Sequence, residues 1–533
     1  MRTGSLFHKL ALACALTLPG GLASACLSFE CQATDVTCRP ESMLLYLLVD
    51  EPDCNFTESL NFDSLQQEAY IKTSNPDIND GLGGKLAFDC ATQTLVLGLP
   101  AESSNATGVN GDQTDNSAAS AGAAYVFRFQ NDEWTQEAYL KASNTEGTDQ
   151  FGTSVAISGD TLVVGASTED SAATGVNGSQ ANGVMNSGAA YVFRRDSLDI
   201  WTQEAYLKAS NTGNGDEFGR RVAISGDLIA VSARNEDSNA AGINGDQSDN
   251  SAGNAGAAYV FRRTGSGAAA TWAQEAYIKA STPSGNERFG TSIALDGETL
   301  VVGAILDGSD ATGIGPDPGN NLAPGSGAAF VFTAVDRVWS QQAYIKASNA
   351  EDCDTFGVDV ALRGDLLAVS ATEEASDATG INGDQSDNSA ASAGAVYVFQ
   401  RSGSTWTQEA YVKSSNTQGG DEFGSSLAVG NESLVVGAVV EDSGASGIDG
   451  NQADNSANGA GAAYLFRRND GQWSQSAYIK ASNTGMGDQF GTSIAMSGDG
   501  MAIIASDEDG PASGINGTQG DGTSASGAVY FFR

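Results

Sequence analysis

The residues best suited to chemistry are six aspartates in three near-identical strings. Asp112 and Asp115, Asp246 and Asp249, and Asp384 and Asp387 stand three positions apart within G-D-Q-[ST]-D-N. Carboxylate and amide oxygens at this density, with glycine allowing tight turns, are the ligands calcium takes. A looser copy holds Asp449, Asp454 and Asn455. A bidentate glutamate at fixed distance is missing, so the strings are not EF-hands. The alternative is that Asp and Asn cap their own turns, and spacing alone leaves both readings open.

Other chemistry is poorly supplied. The chain has one histidine, His8, inside an N-terminal stretch that reads as an export signal. A mature chain without it cannot run Ser-His-Asp or Cys-His catalysis or build a His-ligated metal site. A pair of carboxylates can still drive hydrolysis. The alternative function is therefore an exported carboxylate-dependent hydrolase acting on carbohydrate or lipid. The acids, however, recur at fixed offsets, as scaffold residues do. The recurring pair typified by Glu204 and Lys208 reads as a solvated strand face. None of the many G-x-G matches follows a strand and opens a helix, so none reads as a phosphate loop.

The elements that position these residues repeat. Phe-Gly pairs begin at Phe151, Phe218, Phe289, Phe356, Phe423 and Phe490, after a degenerate Leu82-Gly83, at spacings of 69, 67, 71, 67, 67 and 67. Each opens F-G-x-S-[VIL]-A, followed by L-V-V-G-A, G-A-A-Y-V-F and W-x-Q-E-A-Y-[ILV]-K-A. Val, Ile and aromatic residues bounded by Gly, Asp, Asn and Ser predict four short strands per repeat. Strict alternation would put Trp201, Gln203, Ala205 and Leu207 on one face and Thr202, Glu204, Tyr206 and Lys208 on the other. Where Arg221 stands most copies carry a small residue such as Ser154, which lets a neighbouring sheet approach.

Four-stranded units at this period predict an all-β, seven-bladed β-propeller. The last repeat stops after its third strand, at 527–533, and an extra fourth strand, 66–72, precedes the first. The N-terminal strand should complete the last blade and so remove two open sheet edges. The aspartate strings lie between second and third strands. A second loop set, with Asp149, Asp216, Asp421 and Asp488, joins blades. Alternating strand direction opens both sets on one face, expected to be loop-rich and negative. Two close, non-repeated carboxylates at the axial mouth would favour the hydrolase.

Together the strings resemble the FG-GAP repeat of integrin α-chain propellers and of many bacterial exported proteins, with Leu97 to Pro100 and Val164 to Ser167 at the "GAP" position. The resemblance covers residues 65–533. It implies a ring engaged in adhesion or ligand binding at the cell surface. Calcium sites of that family lie between first and second strands; here that connection is a tiny turn such as Ser158-Gly159-Asp160, so they do not carry over.

Arg2, Lys9, the apolar Leu10 to Leu18 and Ala23-Ser24-Ala25 form the signal expected over 1–25. Cys26 follows and resembles the lipidated cysteine of a bacterial lipobox, although Ala23 stands where Leu or Val is preferred. Residues 26–64 read as a tether, in which Cys31, Cys38 and Cys54 suggest disulfide stapling. An outer-membrane or cell-surface lipoprotein, or a secreted protein, is expected. The net charge of −40, from 66 acids and 26 bases, opposes binding to nucleic acid and leaves a lipid anchor as the route to a membrane. An unidentified protein or glycan at the cell surface is the expected partner, and calcium the expected cofactor if the loops bind one.

Overall fold

The computed structural model describes residues 65–76, 80, 82–315, 319–498, 500–511, 513–520 and 525–533. The expected signal, Cys26 and the expected tether lie outside the described residues.

Seven antiparallel sheets, one per repeat, form the blades. Blade 2 is typical, with strands Phe151–Ser158, Thr161–Ala166, Ala189–Arg195 and Trp201–Leu207 in that order across the sheet. First strands of successive blades contact one another and so line the centre. Blade 4 gains a short fifth strand, Ile314–Gly315, on its outer edge. Among the described residues the one helical element is a 3-10 turn at Gly267–Ala269.

The closure expected from the sequence is present. Gln67–Ile71 pairs antiparallel with Ala528–Phe532, in the register Tyr70 to Tyr530 and Ile71 to Val529. N- and C-terminal segments thereby share one sheet, and the edge of the C-terminal strand is covered.

The core is divided among the blade interfaces. Between blades 1 and 2, Val96, Val126 and Leu140 meet Phe151, Val164, Tyr191 and Tyr206. The Phe of each Phe-Gly pair is fully buried, and Phe151 stands edge-on to Tyr191 and Phe193. Close approach explains the glycines: a Cβ on Gly98 or Gly165 would lie 2.0 Å from the carbonyl oxygen of Gly152 or Gly219, a separation no side chain tolerates.

One expectation fails. In blade 2, Val192 pairs with Ala205 but Phe193 pairs with Gln203, so Glu204 is bulged out of register. The same shift occurs in blades 1, 3, 4, 5 and 6. A bulge reverses the facing of everything beyond it. Trp201 therefore packs with Tyr206 toward blade 1, while Ala205 and Leu207 face blade 3.

Candidate functional site

The bulge also corrects the reading of Glu204 and Lys208, which are neither paired with each other nor solvated. Lys208 is fully buried and its Nζ lies 2.9 Å from Glu169 Oε2. Tyr206 Oη donates to Glu169 Oε1 at 2.9 Å. Asn144, in the loop arriving from blade 1, donates to the same oxygen at 2.9 Å and accepts from Tyr191 Oη at 2.6 Å. Burial pulls the Lys208 ammonium below its usual value, against the pull of Glu169, and lifts the Tyr206 hydroxyl far above its own. Glu204 instead crosses to blade 3, accepting from Arg263 at 2.7 Å and Trp272 Nε1 at 2.9 Å.

Equivalent ion pairs recur in every blade, including Lys141 to Glu102 and Lys480 to Glu441, both at 2.8 Å. In blade 7 the pair joins the chain ends, with Lys72 2.6 Å from Glu508. Such groups are expensive to bury, and each is satisfied by several hydrogen bonds, so they fix geometry more than they add stability. Blade 4 departs from the pattern. Asp307, Thr282 and Phe330 replace the Glu, Asn and Tyr of the other blades, and a cavity of about 260 Å³ opens beside Asp307 and Glu287.

The two loop sets meet on one face, as expected. Ser348 Oγ in the loop leaving blade 4 donates to Gln385 of the long loop of blade 5, and Asn349 Nδ2 to the Gln385 carbonyl. The long loops also extend the outer strands, with Val109 bridging Leu140 and the Asn110 side chain accepting from the Tyr139 amide.

Each aspartate of the acidic strings sits in these loops. Asp112 accepts from the amide and hydroxyl of Thr114, Asp246 and Asp384 from those of Ser248 and Ser386. Those bonds hold all three carboxyls below the usual range. Asp115, Asp249 and Asp387 accept from the amides of Ser117, Ser251 and Ser389. Each thus caps the turn two residues ahead. The structure brings the two members of a string into one loop, and among the described residues no three His, Cys, Asp or Glu side chains converge as a metal would require. Among the described cysteines Cys90 is disulfide-bonded and Cys353 is a free, exposed thiol.

The singular features lie at the axial mouth. Three positions that hold Ser in other blades are charged: Lys85, Arg221 and Asp359. Lys85 Nζ reaches Asp359 Oδ2 at 3.5 Å, joining blades 1 and 5 across the ring. The same Oδ2 accepts from the Leu427 amide of blade 6 at 3.1 Å. In blades that keep the serine, Ser154 Oγ accepts from the Val222 amide and Ser493 Oγ from the Leu86 amide of the neighbouring blade. Arg221, Arg234 and Arg288 stand close to Arg220, and among the described residues only Arg234 of these four forms an ion pair, with Glu217 at 2.9 Å. Sequence reading missed this group because it is spread over three loops and strand ends. Its signal was the interruption of a Thr, Ser or Gln consensus by arginine.

The FG-GAP repeat pattern matches residues 134–193, 201–261, 272–332, 339–399, 406–466 and 473–532. Each match runs from the fourth strand of one blade to the third strand of the next, the phase that leaves the ring to be closed by the N-terminal strand. The degenerate first copy, Leu82-Gly83, falls outside the matches yet builds a regular blade. No curated protein matches the chain. With six matches spanning well over half its length around a closed seven-bladed ring, the chain belongs to the FG-GAP repeat family, whose propellers are common binding and structural modules.

Proposed function

We propose that this propeller is an exported or surface-anchored binding module that engages a protein or glycan through its loop-rich face. The observation that carries the reading is the contrast between that face and the rest of the ring. Strands, buried ion pairs and aromatic interfaces repeat in blade after blade, whereas the acidic string of the long loops is intact in blades 1, 3 and 5 and eroded elsewhere, and these loops project polar side chains. Asp112, Asp246 and Asp384 are exposed there. A rigid scaffold with variable loops on one face suits recognition.

The axial mouth weighs against the hydrolase. Its carboxylate Asp359 is engaged by Lys85 and the Leu427 amide, and Glu217 by Arg234. Hydrolysis by a carboxylate pair needs two facing acids with room for substrate between them. Calcium at Asp112, Asp115, Asp246, Asp249, Asp384 and Asp387 belongs to the same proposal, and would compete with the turn-capping hydrogen bonds. Export and lipidation at Cys26 rest on the signal and the cysteine that follows it.

A glycan and extracellular-protein array tests the reading. Wild-type propeller is compared with a variant whose blade 3 and blade 5 long loops are replaced by Gly-Ser linkers of equal length. Binding by the wild type that the loop variant loses supports the proposal. Equal binding by both, or none by either, contradicts it.

A further inference from the structure

The geometry points to an oxyanion-binding site at the axial mouth, formed by Arg220, Arg221 and Arg288 with Arg234 beside them. All four stand at the loop-rich ends of blades 3 and 4. Arg220 and Arg221 immediately precede the first strand of blade 3, Val222–Ser225; Arg234 follows its second strand, Leu228–Ala233; Arg288 immediately precedes the first strand of blade 4, Phe289–Asp296. First strands line the centre, so these ends surround the mouth.

The group is short of acceptors. Arg234 has Glu217. Among the described residues the guanidinium of Arg221 donates only to the Arg220 carbonyl, at 3.2 Å, and its Nε is buried without a partner. The Arg288 Nε is likewise buried and unpartnered. No hydrogen bond from the Arg220 side chain to a described residue is formed. Elsewhere this chain pairs its arginines closely: Arg195 with Asp160 at 2.7 Å, Arg263 with Glu204 at 2.7 Å and Arg468 with Glu409 at 2.6 Å. A molecule of net charge −40 thus leaves three guanidinia together whose nearby carboxylates, Asp359 and Glu217, are already engaged by Lys85 and Arg234.

That arrangement is costly without a ligand. Burial first, then the charges of Arg221, Arg234 and Arg288, push Arg220 down to about 10. An oxyanion would relieve the repulsion and accept the unused N–H groups, which the planar fork of arginine presents in pairs. Equivalent positions in other blades do not build the group: Thr153, Thr291 and Thr492 replace Arg220, and Gln150 and Gln489 replace Arg288. The ligand class is a molecule bearing a phosphate, sulfate or carboxylate. The site deepens the binding reading of the loop-rich face, and its failure would leave the array test of that reading untouched.

The experiment uses the whole propeller, melted in sodium phosphate, sulfate or acetate against sodium chloride of equal ionic strength. The variant Arg220→Thr, Arg288→Gln installs residues that the fold already accepts at those positions. The expected result is a saturable rise in Tm with at least one oxyanion, at least tenfold weaker in apparent affinity in the variant. In chloride alone the variant should melt higher than wild type, because repulsion is relieved; this readout separates a binding group from a structural one. Which oxyanion acts identifies the ligand group. No oxyanion-specific rise, an equal rise in the variant, or a variant that melts lower in chloride would overturn the inference.

Discussion

The loops that join blades carry buried aspartates whose ionisation should work against folding at neutral pH. Asp216 is only 4% exposed and accepts the Gly213 amide at 2.7 Å. Burial, reinforced by Glu236 and Asp237, outweighs that hydrogen bond and pushes it from 3.8 up to about 7. Asp149, Asp354 and Asp421 are pushed to about 7 in the same way. The folded state therefore binds these protons more tightly than the unfolded chain. Stability from each group is complete below the unfolded value of 3.8 and is lost as pH rises through about 7. The full gap corresponds to about 4 kcal/mol per aspartate at roughly 1.4 kcal/mol per pH unit; local relaxation should reduce this to about 2 kcal/mol. The perturbation is Asp216→Asn, which keeps an oxygen for the Gly213 amide but cannot ionise. Urea unfolding at about pH 4.5 and about pH 8 measures it, provided the slope with urea is unchanged. The wild type should be more stable at the lower pH. The variant should gain about 2 kcal/mol at the higher pH and little at the lower. A variant less stable than wild type at the higher pH, with the same pH dependence, would refute the reasoning.

Further outcomes follow from the same structure. Glu169→Ala strands the fully buried Lys208 and should cost about 3–5 kcal/mol, measured by the same unfolding; a loss under about 1 kcal/mol would show that water or a neighbour replaces the carboxylate. Deleting residues 65–72 removes the closing strand together with Tyr70 and Lys72 and should lower Tm and cause concentration-dependent aggregation, seen by light scattering; an unchanged melt would contradict closure. Calcium should raise Tm beyond ionic-strength-matched sodium, each site adding about 2.7 kcal/mol of stability at a hundredfold excess over Kd, and Asp246→Asn with Asp249→Asn should remove part of the gain; identical melts would leave these aspartates as turn caps. Mass spectrometry of the mature N-terminus should find a lipidated Cys26, and an unmodified Cys26 would refute the anchor.

The ring was legible because its information is periodic. Seven copies of four strand signals, and a final copy lacking its fourth strand, determine both blade number and the closing pair. Facing was less legible. Alternation holds only in an unbroken strand, and the bulge at Glu204 carries no composition signal of its own, so Trp201 and Lys208 were assigned wrong surroundings. The buried ion pairs were hidden because Glu169 and Lys208 lie in different strands and charge alone suggests exposure. The arginines at the mouth were hidden for the opposite reason: they occur once, and a repeat reading averages away what is singular.

The most direct test of the account is a glycan and extracellular-protein array probed with the intact propeller, with released products followed by mass spectrometry. The account predicts retention of at least one ligand with no change in its mass, and loss of that retention when the long loops of blades 3 and 5 are replaced. Cleavage of a carbohydrate or lipid by the purified propeller would contradict it and would restore the carboxylate hydrolase.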